Sequence, residues 1–337
     1  MSAMLEDLDR PEDEPGPATP ASAEAGCRRL RVRHETRYVY GAPVELAHHM
    51  AHLRPRETAW QRVRDFRLLV SPEPEGGASG IQESLDPWGN WRAVFSHDRV
   101  HAKLVVSASF VAELRPPAPW KAALSPAWEL VRDRLRYHIG PDALVREGPG
   151  FDPAAEFVLA SAYAPMTASL AEFARSEFTP GRPVLAAADA LMRRIHRDFD
   201  YKPLSTSVAT RAPEALARRQ GVCQDFAHVM IGAMRSIGLA ARYVSGYLLT
   251  QPPPGQERLI GADASHAWVS VWCPVQGWVA FDPTNAICAG LDHVTVAWGR
   301  DYTDVAPLRG VIRGGGVAVP QVAVTVEPLP GGAQWAP

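Results

Sequence analysis

Three residues far apart in the chain have the types needed for nucleophilic acyl chemistry: Cys223, His266 and Asp282. Cys223 falls in the first turn of a predicted helix that follows Gly221. The apolar stripe of that helix is Val222, Phe226, Val229, Met230, Ala233, Met234 and Ile237, with Gly238 placed as its stop. Cys223 lies one position, about 100°, off the stripe, so its sulfur need not be buried with it. A helix start offers free N–H groups and the positive end of the dipole, a setting that favours the nucleophilic thiolate and an oxyanion beside it.

A thiolate nucleophile needs a base and a group that orients the base. His266–Trp272 and Trp278–Asp282 both alternate apolar and polar residues around a short Cys273–Gly277 turn, which predicts an antiparallel hairpin. Pairing Trp272 with Trp278 sets His266 opposite Thr284 and makes Asp282 its diagonal neighbour. A two-residue shift puts Asp282 directly across. Either register brings the Cβ atoms within about 4.5–8 Å, inside reach of an imidazole–carboxylate hydrogen bond. By period-two counting both residues share one face of the hairpin, with Trp268 and Trp278.

The elements that must carry these groups are legible around them. Pro183 marks a helix start, and Val184, Ala188, Leu191, Met192, Ile195 and Phe199 form its buried stripe. Phe199–Pro203 is extended ahead of a proline, Pro213–Arg219 is a short helix, and Ala241–Leu249 and Val294–Trp298 are strands. Residues 28–115 read as strands: Arg29–Tyr40, Val63–Val70, Trp91–Phe95 and Lys103–Leu114, with a turn at Asp86-Pro-Trp-Gly-Asn90. The expected organisation is an acidic disordered tail at 1–27, a β-sandwich domain at 28–115 and a bridge at 116–182. A catalytic core at 183–310 and a C-terminal strand and tail at 311–337 complete it. The bridge reads as mainly helical, with a loop around 139–152.

Composition narrows the classes. The chain has 337 residues, 46% hydrophobic and 21% charged, with a net charge of −2. That balance fits a globular protein and argues against a nucleic-acid binder. The acids of the first 26 residues account for the negative sign. No apolar run is long enough to span a bilayer, and the acidic N-terminus lacks the apolar stretch of a secretory signal. Four cysteines in a chain of this length do not make a disulfide framework. A cytoplasmic protein without membrane association is expected. Cys223, Cys273 and Cys288 lack the CxxC spacing of a zinc site. His48, His49 and His52 form an HHxxH set; on a strand His48 and His52 share a face and His49 points away, and exposed histidines are the expected reading.

Longer strings carry a resemblance. Gly221-Val-Cys-Gln-Asp-Phe-Ala-His228, Ala241–Tyr247, Ser265-His-Ala-Trp268, Gly277–Asn285 and Gly299-Arg-Asp-Tyr-Thr-Asp-Val305 resemble the bacterial transglutaminase-like family. Segments His34–Tyr40 and Asp86–Asn90 resemble the N-terminal domain that accompanies it. Ala240 stands where the family often has proline. The resemblance implies an α+β fold with a papain-like core, a helix carrying cysteine on an antiparallel sheet. It implies Cys223 as nucleophile, His266 as general base and acid, and Asp282 as the orienting carboxylate, with no metal or organic cofactor.

The expected reaction is acyl transfer or hydrolysis at a peptide or side-chain amide of a protein or peptide substrate, through a thioester. A non-catalytic peptide-binding module and a zinc hydrolase are the alternatives. Tyr201, Gln220 and Gln224 are candidates by position for a second oxyanion donor. Asp225 and His228 brace Cys223, meet substrate, or form a local pair. Trp268 and Trp278 are candidates to wall a cleft; Trp272 and Trp298 suit core packing. Arg300, Asp301 and Asp304 suit a structural ion-pair cluster.

Overall fold

The alternation that predicts a strand at Arg29–Tyr40 continues much further in the computed structural model, which describes residues 26–136, 152–203, 205–206, 209–250 and 265–330. The expected acidic tail lies outside the described residues, apart from its last two positions, and so does nearly all of the loop expected near 139–152. The first strands are β1 (Arg28–Ala51), β2 (Gln61–Ser71), β3 (Gln82–Leu85), β4 (Trp91–His97) and β5 (His101–Leu114). β1 runs for 24 residues because its register slips at Gly41–Pro43, between Val39 and Val44, and the strand bends there rather than ending. One edge of β1 pairs with β5 and then β4.

The other edge is filled from the far end of the chain. Two strands, Leu308–Gly314 and Gln321–Pro328, pair with β1 over Val44–Ala51 and Leu30–Arg37. The described sheet therefore has seven strands, in the order β2-β5-β1-β4-β3 with both C-terminal strands on β1. The first of these two was not foreseen from the sequence.

The bridge is less helical than its composition suggests. It holds α1 (Trp128–Leu135), α2 (Ala168–Arg175) and short 3-10 turns at Ala122–Leu124 and Pro153–Val158. Eight residues per helix leave most of the described bridge outside α-helix. Then follow α3 (Val184–Asp198), β6 (Asp200–Tyr201), α4 (Ala212–Arg218), β7 (Gln220–Gly221) and α5 (Cys223–Ser236). After them come β8 (Ala241–Leu248), β9 (Ser265–Cys273), β10 (Gly277–Asp282), β11 (Ile287–Cys288), β12 (His293–Gly299) and α6 (Tyr302–Val305), which makes Leu308–Gly314 β13 and Gln321–Pro328 β14. A five-stranded antiparallel sheet, β11-β10-β9-β8-β12, supports α5.

The stripes predicted for α3 and α5 are buried, apart from the half-buried Val222. α5 is buried well beyond its stripe, from Gln224 to Arg235, because α2 and α4 pack on the sides left free by β8 and β9. Gly238 takes φ +85° and ends the helix, with its N–H donating to Arg235 O and the Leu239 N–H to Met234 O.

The two sheets share hydrophobic packing. Leu30, Val32, Phe110, Ala112, Leu114, Val324 and Val326 of the large sheet belong to the same core as α3, α5 and β9. A second core, with Tyr40, Val44, Ala47, Phe95, Leu104 and Val106, fills the other end of the large sheet.

Inside that end lie histidines expected to be exposed. His48 is exposed, but His49 and His52 are buried. β1 ends at Ala51, so His52 leaves strand geometry and turns inward toward Asp86 (3.7 Å) and the Ala306 carbonyl (3.3 Å). His49 stacks on Phe95 at 5.3 Å beside His97 and has no hydrogen-bond partner for Nδ1.

Burial, reinforced by His97, His101 and His48, pushes His49 down to about 4, and burial does the same to His34. An unfolded histidine titrates near 6.5. Above that pH neither state takes up a proton, and stability is complete. Between roughly 6.5 and 4 only the unfolded chain binds protons, so stability falls by up to about 3 kcal/mol per ring. Urea titrations at stepped pH should show this loss, and His49→Phe should remove a large part of it. An unchanged slope in the variant would contradict the assignment.

Candidate active site

The hairpin forms in the register that pairs Trp272 with Trp278, continuing through Val271–Val279 and Ser270–Ala280 to Val269–Phe281. Asp282 ends β10 diagonally across from His266, and His266 Nε2 lies 2.7 Å from Asp282 Oδ2. The carboxylate is fully buried. Its Oδ1 accepts the backbone N–H groups of Thr284 (2.9 Å) and Asn285 (3.2 Å), so the turn after β10 folds back onto the side chain that opens it. Its Oδ2 also faces Asn285 Nδ2 at 2.7 Å and His293 Nε2 at 3.2 Å. Burial alone would raise the Asp282 pKa. Hydrogen bonds from His266 and His293, the His266 charge and the Asn285 amide hold it well below the usual carboxylate range.

His266 responds in the opposite sense. Burial opposes its protonation, but hydrogen bonds to Asp282 and to Cys223, and the charges of both partners, push it up to about 10. With Nε2 engaged by Asp282, Nδ1 is the ring nitrogen left for the sulfur. Cys223 itself opens α5 and is half-buried. The turn that presents it is closed by Asp225, whose Oδ2 accepts from Val222 N–H (2.9 Å) and Thr206 Oγ1 (2.6 Å). Any side chain at Gly221 would meet that carboxylate, since a Cβ there would sit 2.5 Å from Oδ2. Cys223, His266 and Asp282 are thus brought together.

The other candidates separate. Because β6 pairs with β7, Tyr201 lies beside Gly221, two residues before Cys223. The residue is 53% exposed, and burial followed by the charge of Cys223 raises its pKa. Gln220 is on β7 and accepts from Lys202 Nζ at 3.3 Å. Gln224 is buried in the first turn of α5.

Asp225 and His228 do not pair with each other. Asp225 holds the turn, and His228 lies fully buried between the rings of Tyr163 (5.3 Å) and Tyr243 (4.9 Å), where Nε2 accepts from Tyr302 N–H. Burial pushes His228 down to about 3, despite Asp301 nearby and with Arg235 adding to the shift.

Trp268 does not wall a cleft. Trp268 is buried beneath His266, with its ring edge-on to His293 at 5.2 Å. Its indole tip fills the space where a Cβ of Gly246 would lie, 2.5 Å away. Trp278 packs on Phe157 and under the guanidinium of Arg242. Arg300 and Asp304 do form an ion pair at 3.0 Å, and Asp301 caps α6.

His293 and Asn285 were not singled out from the sequence. Asn285 lay within a quoted motif, but nothing in residue spacing joins His293 to Asp282. Among the described residues, the group of side chains close enough to share one metal ion is His266, Asp282 and His293, whose ligand atoms lie within 4.8 Å. No cysteine belongs to it. Hydrogen bonds already use the facing atoms of all three.

Comparison with known proteins bears on the family and the fold. Residues 30–113 match the bacterial transglutaminase-like N-terminal region, and residues 171–283 match the transglutaminase-like superfamily. The uncharacterized protein Rv2569c of Mycobacterium tuberculosis is 38% identical over 317 residues, 92% of this chain and 96% of that protein. A protein-glutamine gamma-glutamyltransferase of Pseudomonas aeruginosa is 33% identical over 135 residues, which is 38% of this chain but 20% of that enzyme. A crystal structure titled as a "Putative Cysteine Protease" from Cytophaga hutchinsonii superimposes with a TM-score of 0.67 at 21% identity, covering 93% of this chain and 94% of the other, and so shares the fold. With both regions matched in order and a relative similar over nearly its whole length, the chain belongs to the bacterial transglutaminase-like family.

Proposed function

We propose that this protein is a cysteine enzyme that cleaves or exchanges amide bonds of peptides or proteins through a thioester on Cys223. The observation that carries this reading is the His266–Asp282 pair at 2.7 Å, set against the sulfur at the start of α5. Thiolate attack needs positive charge beside the sulfur, and the imidazolium and the helix start supply it.

In the first half-reaction the sulfur attacks the carbonyl carbon and a C–S bond forms. The carbonyl oxygen becomes an oxyanion facing the Cys223 backbone N–H, with the Tyr201 hydroxyl as second donor. Collapse breaks the C–N bond, and His266 gives its proton to the departing amine. In the second, water or an amine yields a proton to His266 and attacks the thioester. The C–S bond breaks and the sulfur leaves as thiolate. Asp282 keeps Nε2 protonated and Nδ1 turned to the sulfur throughout.

A simple activated acyl donor tests the reading without a known substrate. Incubation with p-nitrophenyl acetate should release a burst of nitrophenol and add one acetyl group to Cys223 by intact mass. Cys223→Ala should show neither while keeping its circular dichroism. Equal acetylation of that variant would refute the nucleophile.

Tyr201→Phe should slow acetylation by about 10–100-fold, because an oxyanion donor is lost. Its alkylation by iodoacetamide, which forms no oxyanion, should be unchanged. Equal loss in both reactions would place Tyr201 outside the oxyanion site.

Asp282→Asn should bring the His266 ring down from about 10, since burial is then opposed by the Cys223 sulfur alone. Histidine NMR across pH 5–11 reads this directly; a ring that still titrates near 10 would show that Asp282 does not set it.

A further inference from the structure

β12 is an edge strand of the smaller sheet, and it begins at His293, the residue that shares Asp282 with His266. The His293 ring is buried, and its Nδ1 accepts from Gly290 N–H at 3.3 Å. A ring nitrogen that accepts carries no proton, so the proton of a neutral ring sits on Nε2 and points at Asp282 Oδ2. Carboxylate orientation therefore depends on where β12 lies.

Among the described residues no strand lies beside the outer edge of β12, yet the outward backbone groups of Thr295 and Trp298 are paired. Gln61, the first residue of β2, sets Oε1 2.8 Å from Thr295 N–H and Nε2 2.7 Å from Thr295 O. Asn90, from the Asp86–Asn90 turn, does the same to Trp298, at 3.0 Å to its N–H and 2.8 Å to its carbonyl. Two side-chain amides thus stand in for a neighbouring strand. A register slip between Thr295 and Ala297 turns both residues to the same edge, three positions apart.

Both amides are buried and fixed in turn. Gln61 Nε2 also reaches Arg56 O (2.8 Å), Asn90 Nδ2 donates to Asp86 Oδ2 (2.7 Å), and Arg56 Nη1 donates to Asn90 Oδ1 (2.7 Å). The Trp298 ring lies between the guanidinium groups of Arg56 (3.6 Å) and Arg242 (3.7 Å). Arg28 of β1 pairs with Asp292, the residue before His293. The N-terminal domain therefore holds β12 next to His293 and at two points further along.

We propose that the N-terminal domain is part of the active-site machinery: through Gln61 and Asn90 it fixes β12, so that His293 acts as a positioning residue for the Asp282 carboxylate. This rests on the proposed cysteine chemistry, and the test separates the two. Wild-type Cys223 should react with iodoacetamide faster than the exposed Cys288 of the same molecule, as read by peptide mass spectrometry. If it does not, the cysteine reading fails before the positioning claim is reached.

Given a reactive wild type, His293→Phe keeps a ring against Trp268 but removes the donor. It should slow Cys223 alkylation about tenfold and move the His266 titration to lower pH. His293→Gln restores an N–H near the place of Nε2 and should recover the rate to within about threefold. Gln61→Met, checked for folding by circular dichroism, should speed hydrogen exchange at the Thr295 amide and shift the His266 titration in the same direction as His293→Phe. A His266 titration unmoved or raised in His293→Phe, or no recovery in His293→Gln, would overturn the role of His293. Faster exchange at Thr295 with Cys223 reactivity and the His266 titration both unchanged would reduce the N-terminal domain to packing alone.

Discussion

A carboxylate taken wholly out of water is the constraint around which this molecule is arranged. Isolated, the charge of Asp282 would be costly enough that the group would take up a proton instead. It is kept ionised by donors on both oxygens, two backbone N–H groups at Oδ1 and three side chains at Oδ2. The five donors are delivered by three separate pieces of chain. The Pro283–Asn285 turn supplies three of them, β9 supplies His266 and β12 supplies His293. The turn is tied down from a further side, since the Thr284 carbonyl lies 2.8 Å from His196 Nδ1 of α3. Loss of any one donor leaves a buried charge partly unpaired, which costs more than the hydrogen bond itself.

The start of α5 is built by the same logic with a second carboxylate. Asp225 satisfies the Val222 N–H and so closes the turn that exposes the Cys223 sulfur. Further along the helix, Arg235 is completely buried and donates to four carbonyl or hydroxyl oxygens, from Phe157, Ser161, Ala241 and Arg300. His228 receives the Tyr302 N–H. The segment from His293 to Tyr302 therefore touches the Asp282 carboxylate at one end and the cysteine helix at the other. Between them it is gripped by Gln61 and Asn90. Buried hydrogen bonds of this kind define one arrangement more sharply than apolar packing does.

The large sheet belongs to this arrangement. Because β13 and β14 return from beyond the core to pair with β1, the chain closes on itself. Val324 and Val326 then pack in the same core as α5. Beside that core, the Tyr247 hydroxyl of β8 lies 3.0 Å from His34 Nδ1 of β1, so the two sheets are also joined by a buried polar contact.

What could be read in the chain and what could not divide along a physical line. Local periodicity follows from covalent geometry. The stripes of α3 and α5, the stop at Gly238 and the hairpin register that brings Asp282 diagonally to His266 were therefore all legible, since each depends on residues close in sequence. Contacts between distant segments obey no such period. Nothing in the spacing of His293 announces a partner at Asp282, and nothing in Gln61 or Asn90 announces an edge strand two hundred residues away. For the same reason His49 and His52 read as exposed and Trp268 as a cleft wall. Whether a polar or aromatic ring faces water depends on which element lies over it. The sequence alone thus determined the helices and hairpin around the site and the three chemical groups they carry. Only the tertiary structure decided which buried groups share a carboxylate, because donors are chosen by proximity in space and the cost of leaving one unpaired is set by the absence of water.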